Sequence, residues 1–382
     1  MLKIYYWSPF LSKIATVSSI TRSIESIQKY NKKKLDISII DSVGEWDSIK
    51  NKILDVKIIK LYKNSYYNKL PKKGFFQSRL ALLFIYFFSF FKLLDLLKNK
   101  KPDYIIVHLL VSLPLILMSF LKGNTKLILR ISGLPRLNII RKTYWKFFSK
   151  NIFKVTCPTI ATYEKLRLSK IFKESQLEIL YDPIISTKEI IKKSTINIED
   201  QFKDKKFIIG IGRLTRQKNF ELLIKAFKKM HDYEKNLNLI ILGEGEKIYS
   251  LKILTSNLGL TNFVYFLGYK ENIYTYLKKA ECFVLSSLWE DPGFVLIESS
   301  FMNIPIIASD CPNGPQEIIN KDERGYLFKN DNVEDLVKKY IEFKNSSKKD
   351  IRKKIYKAKI YSKNYSMFNH YLKLKKILHL EN

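Results

Sequence analysis

Along the chain, short apolar runs rich in Ile, Val, Leu, Tyr and Phe alternate with longer segments whose apolar positions recur every three or four residues. A near-continuous apolar run bounded by turn residues reads as a strand buried on both faces, and the longer spacing reads as an amphipathic helix. Their alternation predicts βαβ units and parallel sheets. The pattern occurs twice. In the first half the predicted strands are "KIYYWS", "LDISII", "VKIIKLY", "YIIVH", "KLILRIS", "FKVTCP" and "LEILYD", with helices over residues 14–30 and 136–150 among the segments between them. In the second half they are "KFIIGIG", "LNLIILG", "FVYFLG", "CFVLSS" and "IPIIASD", separated by helical segments near residues 220–230, 247–258, 273–279 and 294–302. Residues 184–205 mix charge with Ser, Thr and Asn and lack strand alternation, which predicts a linker. The tail over residues 361–380 reads as a basic amphipathic helix added after the second sheet is complete. The expected fold class is α/β, with an N-terminal Rossmann-like domain at 1–185, a linker at 186–204, a second Rossmann-like domain at 205–361, and a C-terminal helix, 362–382, packing back on the first domain.

The length of 382 residues supports two hydrophobic cores rather than one. Hydrophobic content of 46% is ordinary for a folded chain, but the charge is not: 68 Lys and Arg against 36 Asp and Glu leave +32. The excess is uneven, since residues 51–150 hold 20 basic and 3 acidic residues. Such a field attracts nucleic acid, an anionic bilayer or phosphorylated substrates, although a composition biased toward Asn, Ile and Lys gives the same charge without any ligand. Cys157, Cys282 and Cys311 have no close spacing, which argues against a disulfide framework or a zinc site and predicts a reducing compartment. The N-terminus enters a strand directly, without the pattern of an export signal. The run "LALLFIYFFSFF" (residues 80–91) lies between Arg79 and Lys92 and is shorter than the about 20 residues a spanning helix needs. It is expected to be mainly a buried helix of the first sheet, leaving membrane contact to the surrounding lysines.

In open parallel sheets ligands bind beyond the carboxyl ends of the strands, so the residues after each strand carry the chemistry. "GIGRLTRQKNF" follows the first strand of the second half: Gly210 and Gly212 permit close backbone approach, and Arg213 and Lys218 place two cations near a helix start. That outlines a diphosphate clamp, or equally a glycine turn followed by a solvated basic helix end. "LWEDP" is the expected exit loop of a later strand, and "GFVLIESSFMN" the helix that follows, beginning at about Gly293. The amides of Gly293, Phe294 and Val295 can donate there, while Glu290 and Glu298 can each accept from neighbouring hydroxyls of a sugar. The competing reading makes Glu290 and Asp291 capping acids and Glu298 an exposed helix residue. No D-x-D triplet occurs, and His108, His231, His370 and His379 show no ligand spacing, so neither metal nor cofactor is expected.

Taken together, "GIGRLTRQKNFELLIKAF", "LGEGE", "VYFLGY" and "EDPGFVLIESSFMNIPIIASDCPNGPQEII" resemble the donor-binding domain of glycosyltransferase family 4, in order over residues 207–328. The resemblance implies a GT-B fold, two Rossmann-like domains facing each other across a cleft, and transfer of a sugar from a nucleotide sugar, by family frequency a UDP-sugar, with retention of configuration. It assigns Glu290 and Glu298 to a Glu-x7-Glu element and Arg213 and Lys218 to the donor diphosphate. Gly212, Gly243, Glu244, Gly268, Tyr269, Gly293, Phe294 and Val295 fall in the donor pocket, and His108, which ends "KKPDYIIVH", falls near the reacting sugar. Catalytic roles thus go to His108, Arg213, Lys218 and Glu290. Three departures stand out: "SPFLSKI" (residues 8–14) replaces a Gly-Gly loop, Asn303 replaces a glycine, and E-D-P-G-F replaces E-G-F-G in a manner that resembles lipopolysaccharide and capsule enzymes. The expectation is a metal-independent hexosyl- or N-acetylhexosaminyltransferase, cytoplasmic and peripheral on an anionic membrane surface, acting on a glycan or polyprenyl-phosphate-linked acceptor. Nucleic acid is not expected as a partner. The alternatives are a GT-B phosphorylase or sugar epimerase, and, from another class, a basic nucleic-acid-binding protein, which lacks any base-reading motif here.

Overall fold

Parallel neighbours in a sheet need a crossover long enough to hold a helix, and the alternation of the sequence supplies one at almost every step. The computed structural model describes residues 1–11, 15–47, 56–71, 74–121 and 123–380. Residues 12–14 and 381–382, on which the ends of two predicted helices and part of "SPFLSKI" fall, lie outside the described residues. The chain divides into two units, Met1–Pro183 with Met367–Asn382, and Ile184–Ser366.

The first unit runs β1 (Lys3–Trp7), α1 (Ala15–Tyr30), β2 (Asp36–Asp41), β3 (Lys57–Lys60), α2 (Phe75–Lys100), β4 (Tyr104–Val107), α3 (Ser112–Phe120), β5 (Lys126–Arg130), α4 (Ile139–Phe148), β6 (Ile152–Cys157), α5 (Ile160–Ser169) and β7 (Leu177–Ile179). Its seven strands are parallel in the order β3-β2-β1-β4-β5-β6-β7. Alternate side chains of β1 go to opposite faces, as the pleat requires. Ile4 and Tyr6 join Ile20 and Ile24 of α1 in one core, whereas Tyr5 and Trp7 join Leu93 and Leu97 of α2 and Trp145 of α4 in the other.

Helix α2 departs from expectation. It is 26 residues long, has no internal Gly or Pro, and stops where Lys101 turns left-handed (φ 44) before Pro102. Ala81, Ile85, Ser89, Leu93 and Leu97, four apart, form one buried stripe. Between these positions the apolar run faces outward: Phe76, Leu80, Leu83, Phe84, Phe87 and Phe91 are all exposed, Phe76 by 81% and Phe91 by 76%. The reading of residues 80–91 as mainly buried is therefore corrected. A single helix packed on a sheet can bury only the stripe it turns toward that sheet, and this one is apolar on both sides.

The second unit begins with α6 (Thr187–Ser194) and continues β8 (Lys206–Ile211), α7 (Phe220–Tyr233), β9 (Leu237–Leu242), α8 (Ile248–Asn257), β10 (Val264–Phe266), α9 (Tyr274–Lys279), β11 (Phe283–Leu285), α10 (Phe294–Phe301), β12 (Ile306–Ser309), α11 (Gly314–Ile319), β13 (Tyr326–Phe328), α12 (Val333–Asn345) and α13 (Lys348–Ser362). The six strands are parallel in the order β10-β9-β8-β11-β12-β13. Strand β13, absent from the sequence reading, is three residues between a glycine and a lysine, too short to show a period. Residues 186–204, expected as a linker, are folded into this unit. Ile190 and Phe202 are buried to 1%, Asn272 donates to the Lys193 carbonyl (2.9 Å), and Tyr276 donates to Glu199 (2.5 Å).

The last helix, α14 (Met367–Ile377), returns to the first unit, where Leu374 and Ile377 enter the core beside α1. The predicted single tail helix is broken at the 3-10 turn Lys363–Tyr365. In both sheets the strand order reverses beside the first strand, between β1 and β4 and between β8 and β11. Those two points are where a doubly wound sheet opens a crevice at its carboxyl edge.

Candidate functional site

The crevice of the second unit is built from the loops leaving β8, β9, β10 and β11. Gly243 (φ +140) shows why glycine stands there: a Cβ on it would lie 1.9 Å from the Gly212 carbonyl oxygen. Backbone is laid on backbone across these loops. Gly212 N–H donates to Leu242 O (2.9 Å), Leu214 N–H to Glu244 O (2.8 Å) and Gly243 N–H to Gly268 O (2.8 Å). Three of the expected donor-binding glycines thus meet at the tips of three adjacent strands. Glu244 reaches the same edge, accepting from the Tyr269 amide at 3.4 Å, and the Tyr269 ring is exposed.

Across the switch point, Lys218 donates to Glu290 Oε1 at 2.5 Å, and the Ser287 hydroxyl donates to the same oxygen at 2.5 Å. Glu290 is 5% exposed and Lys218 16%. Two hydrogen bonds hold the loops in register: Leu288 N–H donates to Gln217 O (2.8 Å), and the Ser286 hydroxyl donates to Lys218 O (2.8 Å). The Lys218 ammonium has three N–H donors, and one of them is engaged by Glu290. Arg213, by contrast, is exposed at the end of β8.

Glu290 also backs onto the start of α10. Gly293 caps that helix in the left-handed region (φ +93) without a side-chain bond, and a Cβ built on it would stand 3.5 Å from Glu290 Cγ. The first intrahelical bonds are made by Leu296 and Ile297 to the Gly293 carbonyl, so the amides of Gly293, Phe294 and Val295 precede the helical ladder. Glu290 pairs with Lys218, and Asp291 accepts from Asn313 (2.6 Å). One turn and a half further on, Glu298 accepts from the Tyr274 hydroxyl at 2.7 Å, with Tyr274 buried at the first position of α9.

Sequence reasoning missed Ser287, Tyr274 and Asn313. Ser287 had a local signal, a hydroxyl three residues before Glu290 in the exit loop; Tyr274 had none, because its partner is 24 residues away. Cys311 is buried near Glu290, and burial pushes its thiol up to about 12, so it is no nucleophile at neutral pH. Among the described residues no three His, Cys, Asp or Glu side chains group as metal ligands do.

His108 belongs to the first unit. It follows β4, its amide donates to Trp7 O (3.0 Å), and its ring is buried. Burial first, and then the Arg130 charge, lower its pKa to about 3, so it is a neutral imidazole that can hydrogen-bond but not pair with an anion. Behind it lies a buried network that no motif announced. Arg130 donates to Asp182 Oδ1 (2.6 Å) and to Leu180 O (2.5 Å), and Ser19 donates to the same carboxylate oxygen. Burial alone would raise the Asp182 pKa, but Arg130 and Ser19 outweigh it and hold the carboxylate ionised. His370 of α14 contacts Tyr181 O through Nδ1 (2.7 Å) and Ser23 Oγ through Nε2 (2.8 Å). A carbonyl only accepts, so Nδ1 carries the proton and Nε2 accepts from the serine.

Residues 191–360 match the family model described as glycosyl transferases group 1. Among curated proteins the chain is similar to an uncharacterized glycosyltransferase of Methanocaldococcus jannaschii, 33% identical over 248 residues, covering 60% of this chain and 61% of that protein. It is also similar to the N-acetylgalactosamine-N,N'-diacetylbacillosaminyl-diphospho-undecaprenol 4-alpha-N-acetylgalactosaminyltransferase of Campylobacter jejuni, 30% identical over 225 residues, 56% of this chain and 60% of that protein. The chain thus spans about three fifths of the length of each of these two relatives. Among solved structures, a glycosyltransferase of Rickettsia africae aligns at TM-score 0.75 and 17% identity over 100% of this chain and 99% of that one. The Anabaena protein HepE, solved in complex with UDP, aligns at 0.73 and 13% over 100% of both chains. The two-sheet architecture is the GT-B fold, and residues 191–360, which hold every expected site residue except His108, match the glycosyl transferases group 1 model.

Proposed function

We propose that the protein is a retaining, metal-independent glycosyltransferase that moves a hexosyl or N-acetylhexosaminyl group from a nucleotide sugar, in the first instance a UDP-sugar, to a lipid-linked glycan at the inner face of a membrane. The observation that carries this reading is the convergence of Lys218, Glu290, the uncapped start of α10 and the Gly212, Gly243 and Gly268 backbones at one switch point. The reading of acceptor and donor is supported by the Campylobacter relative, whose printed name specifies a diphospho-undecaprenol acceptor, and by the UDP bound to HepE.

Mechanism follows from the charges. As the bond between the anomeric carbon and the diphosphate breaks, its electron pair passes to the phosphate oxygen, and that developing charge is what the site must stabilise. Arg213, the remaining donors of Lys218 and the first amides of α10 supply donors and positive potential for it. Glu290 keeps the Lys218 ammonium at the crevice, and Glu298, held by Tyr274, offers a fixed carboxylate oxygen pair to a ribose diol. The acceptor oxygen bonds to the anomeric carbon on the face the phosphate leaves, and its proton goes to the departing phosphate oxygen. The neutral His108 imidazole serves as a hydrogen-bond partner to the transferred sugar.

The test is incubation of the purified chain with radiolabelled UDP- and GDP-sugars and a membrane lipid extract, with the product anomer read by NMR. Transfer with retention, unchanged by EDTA, is the expected result; an inverted product, or activity abolished by EDTA and restored by a divalent cation, contradicts the scheme.

A further inference from the structure

Two helices of the first unit expose large apolar side chains to solvent. On α2 these are Phe76, Leu80, Leu83, Phe84, Phe87 and Phe91, which recur along one side over 15 residues, about 22 Å of helix. On α4 they are Ile139, Ile140 and Phe147, exposed by 83%, 80% and 68%. A groove of about 620 Å³ runs between the two helices, lined by Arg79 and Leu82 of α2 and by Ile140, Arg141, Tyr144 and Trp145 of α4. An apolar surface of this extent on a folded unit marks an interaction site.

The surrounding charge selects the occupant. Residues 56–163 contain only two acids, Asp95 and Asp103, and the basic side chains Arg79, Lys92, Arg136, Arg141, Lys142 and Lys146 are exposed on or beside α2 and α4. Phenylalanine and isoleucine ringed by lysine and arginine is the composition of a surface that lies in a bilayer interface, with apolar groups among the acyl chains and cations at anionic headgroups. Length alone would let α2 cross a membrane, since 26 residues make about 39 Å. Its other stripe prevents that. Leu93 and Leu97 are locked into the core with Tyr5, Trp7, Ile105 and Val107, so the helix cannot be surrounded by lipid without dismantling the sheet.

We propose that the outward faces of α2 and α4 form one docking surface for an anionic bilayer, and that the groove between them, with Arg79 and Arg141 in its wall, receives the phosphate of a lipid headgroup. This rests on the reading of the acceptor as lipid-linked. It also replaces the sequence-based expectation that lysines alone make the contact.

The test is co-sedimentation of the full chain with vesicles of phosphatidylcholine, with and without about one third phosphatidylglycerol, at low and physiological salt. Three variants are compared: Phe84→Ser/Phe87→Ser/Phe91→Ser on α2, Ile139→Ser/Ile140→Ser on α4, and Arg79→Gln/Arg141→Gln in the groove. Lys32→Gln/Lys33→Gln, beyond α1 on the opposite sheet face, removes the same charge as the arginine variant and serves as control. Wild type binds anionic vesicles at least tenfold more tightly than neutral ones. Each α2, α4 or groove variant weakens that binding at least tenfold, and the control weakens it less than threefold. All replaced side chains are exposed, and Ile140, Arg79 and Arg141 also line the groove; unchanged melting curves confirm that the variants fold. Absence of wild-type binding at low salt, or equal binding by the α2 variant, overturns the proposal. So does a concentration-dependent dimer in lipid-free buffer that the α2 variant abolishes, since a second copy would then cover the face. Vesicle binding is scored without donor or turnover, so its failure leaves the transferase reading to be judged by sugar transfer alone.

Discussion

Replacing Lys218 with methionine leaves the Glu290 carboxylate 5% exposed with the Ser287 hydroxyl as its remaining close donor. Removing one member of a buried ion pair costs about 3–5 kcal/mol, because the survivor keeps its desolvation penalty and loses its compensation. The retained Ser287 bond, and the access to water implied by the 16% exposure of Lys218, bring the expected loss to about 2–3 kcal/mol. In a unit of about 180 residues each kcal/mol lowers the melting temperature by about 2–4 °C, so Lys218→Met should melt roughly 5–10 °C lower. Adding Glu290→Gln removes the orphaned charge and should recover at least half of that loss. Scanning calorimetry reads the shift, and Trp289, 48% exposed beside Glu290 and the sole tryptophan of residues 184–366, reports the same unit by fluorescence. A Lys218→Met melt within 1 °C of wild type, or a double variant no more stable than the single one, would refute the pairing on which this reasoning rests.

Gly243→Ala sets a methyl group against the Gly212 carbonyl and should destabilise the second unit by at least about 2 kcal/mol while abolishing donor-induced thermal stabilisation; a wild-type melt would show that the strand tips do not touch. Tyr274→Phe removes the hydrogen bond to Glu298, which should lower nucleotide-sugar affinity several-fold by calorimetric titration and stability by about 1 kcal/mol. For pH, burial and Arg130 lower His108 to about 3 and His370 to about 4, both below their unfolded value near 6.5. A depressed folded pKa means the stability is fully present above the unfolded pKa and is lost as pH falls through the window from about 6.5 toward 4 and 3. Each histidine contributes up to about 1.4 kcal/mol per pH unit in that window, and His370→Gln should flatten the acid limb of the first unit's stability by one proton.

Most of the fold was legible because parallel strands are buried on both faces and leave continuous apolar runs, as "YIIVH" and "LNLIILG" do at β4 and β9. What escaped was either too short to have a period, as with Tyr326–Phe328, or was decided by tertiary contact. Residues 186–204 look like a linker because their five large apolar side chains are scattered among charges, yet three of them, Ile190, Ile198 and Phe202, are buried while Ile191 and Ile196 stay exposed. Helix α2 misled in the opposite sense: an apolar run signals a buried helix or a lipid-facing one with equal force, and only the single stripe pressed on the sheet separates them. In the candidate site the residue types and spacing were readable from "GRLTRQKNF" and "EDPGFVLIE". The Lys218 to Glu290 bond was not, because the topology that brings residues 72 apart together across β8 and β11 is a property of the strand order.

The central claim is that the carboxyl edge of β8, β9, β10 and β11 holds a sugar nucleotide. Calorimetric titration of UDP, GDP and their sugar conjugates into the full chain and into Arg213→Ala and Glu298→Gln tests it most directly. The account predicts a single site for one nucleotide class, weakened about 10- to 100-fold by either substitution, since each removes a charge-assisted contact of about 1.5–3 kcal/mol. Binding that is equal in all three proteins, or no binding of any of these nucleotides at millimolar concentration, contradicts it.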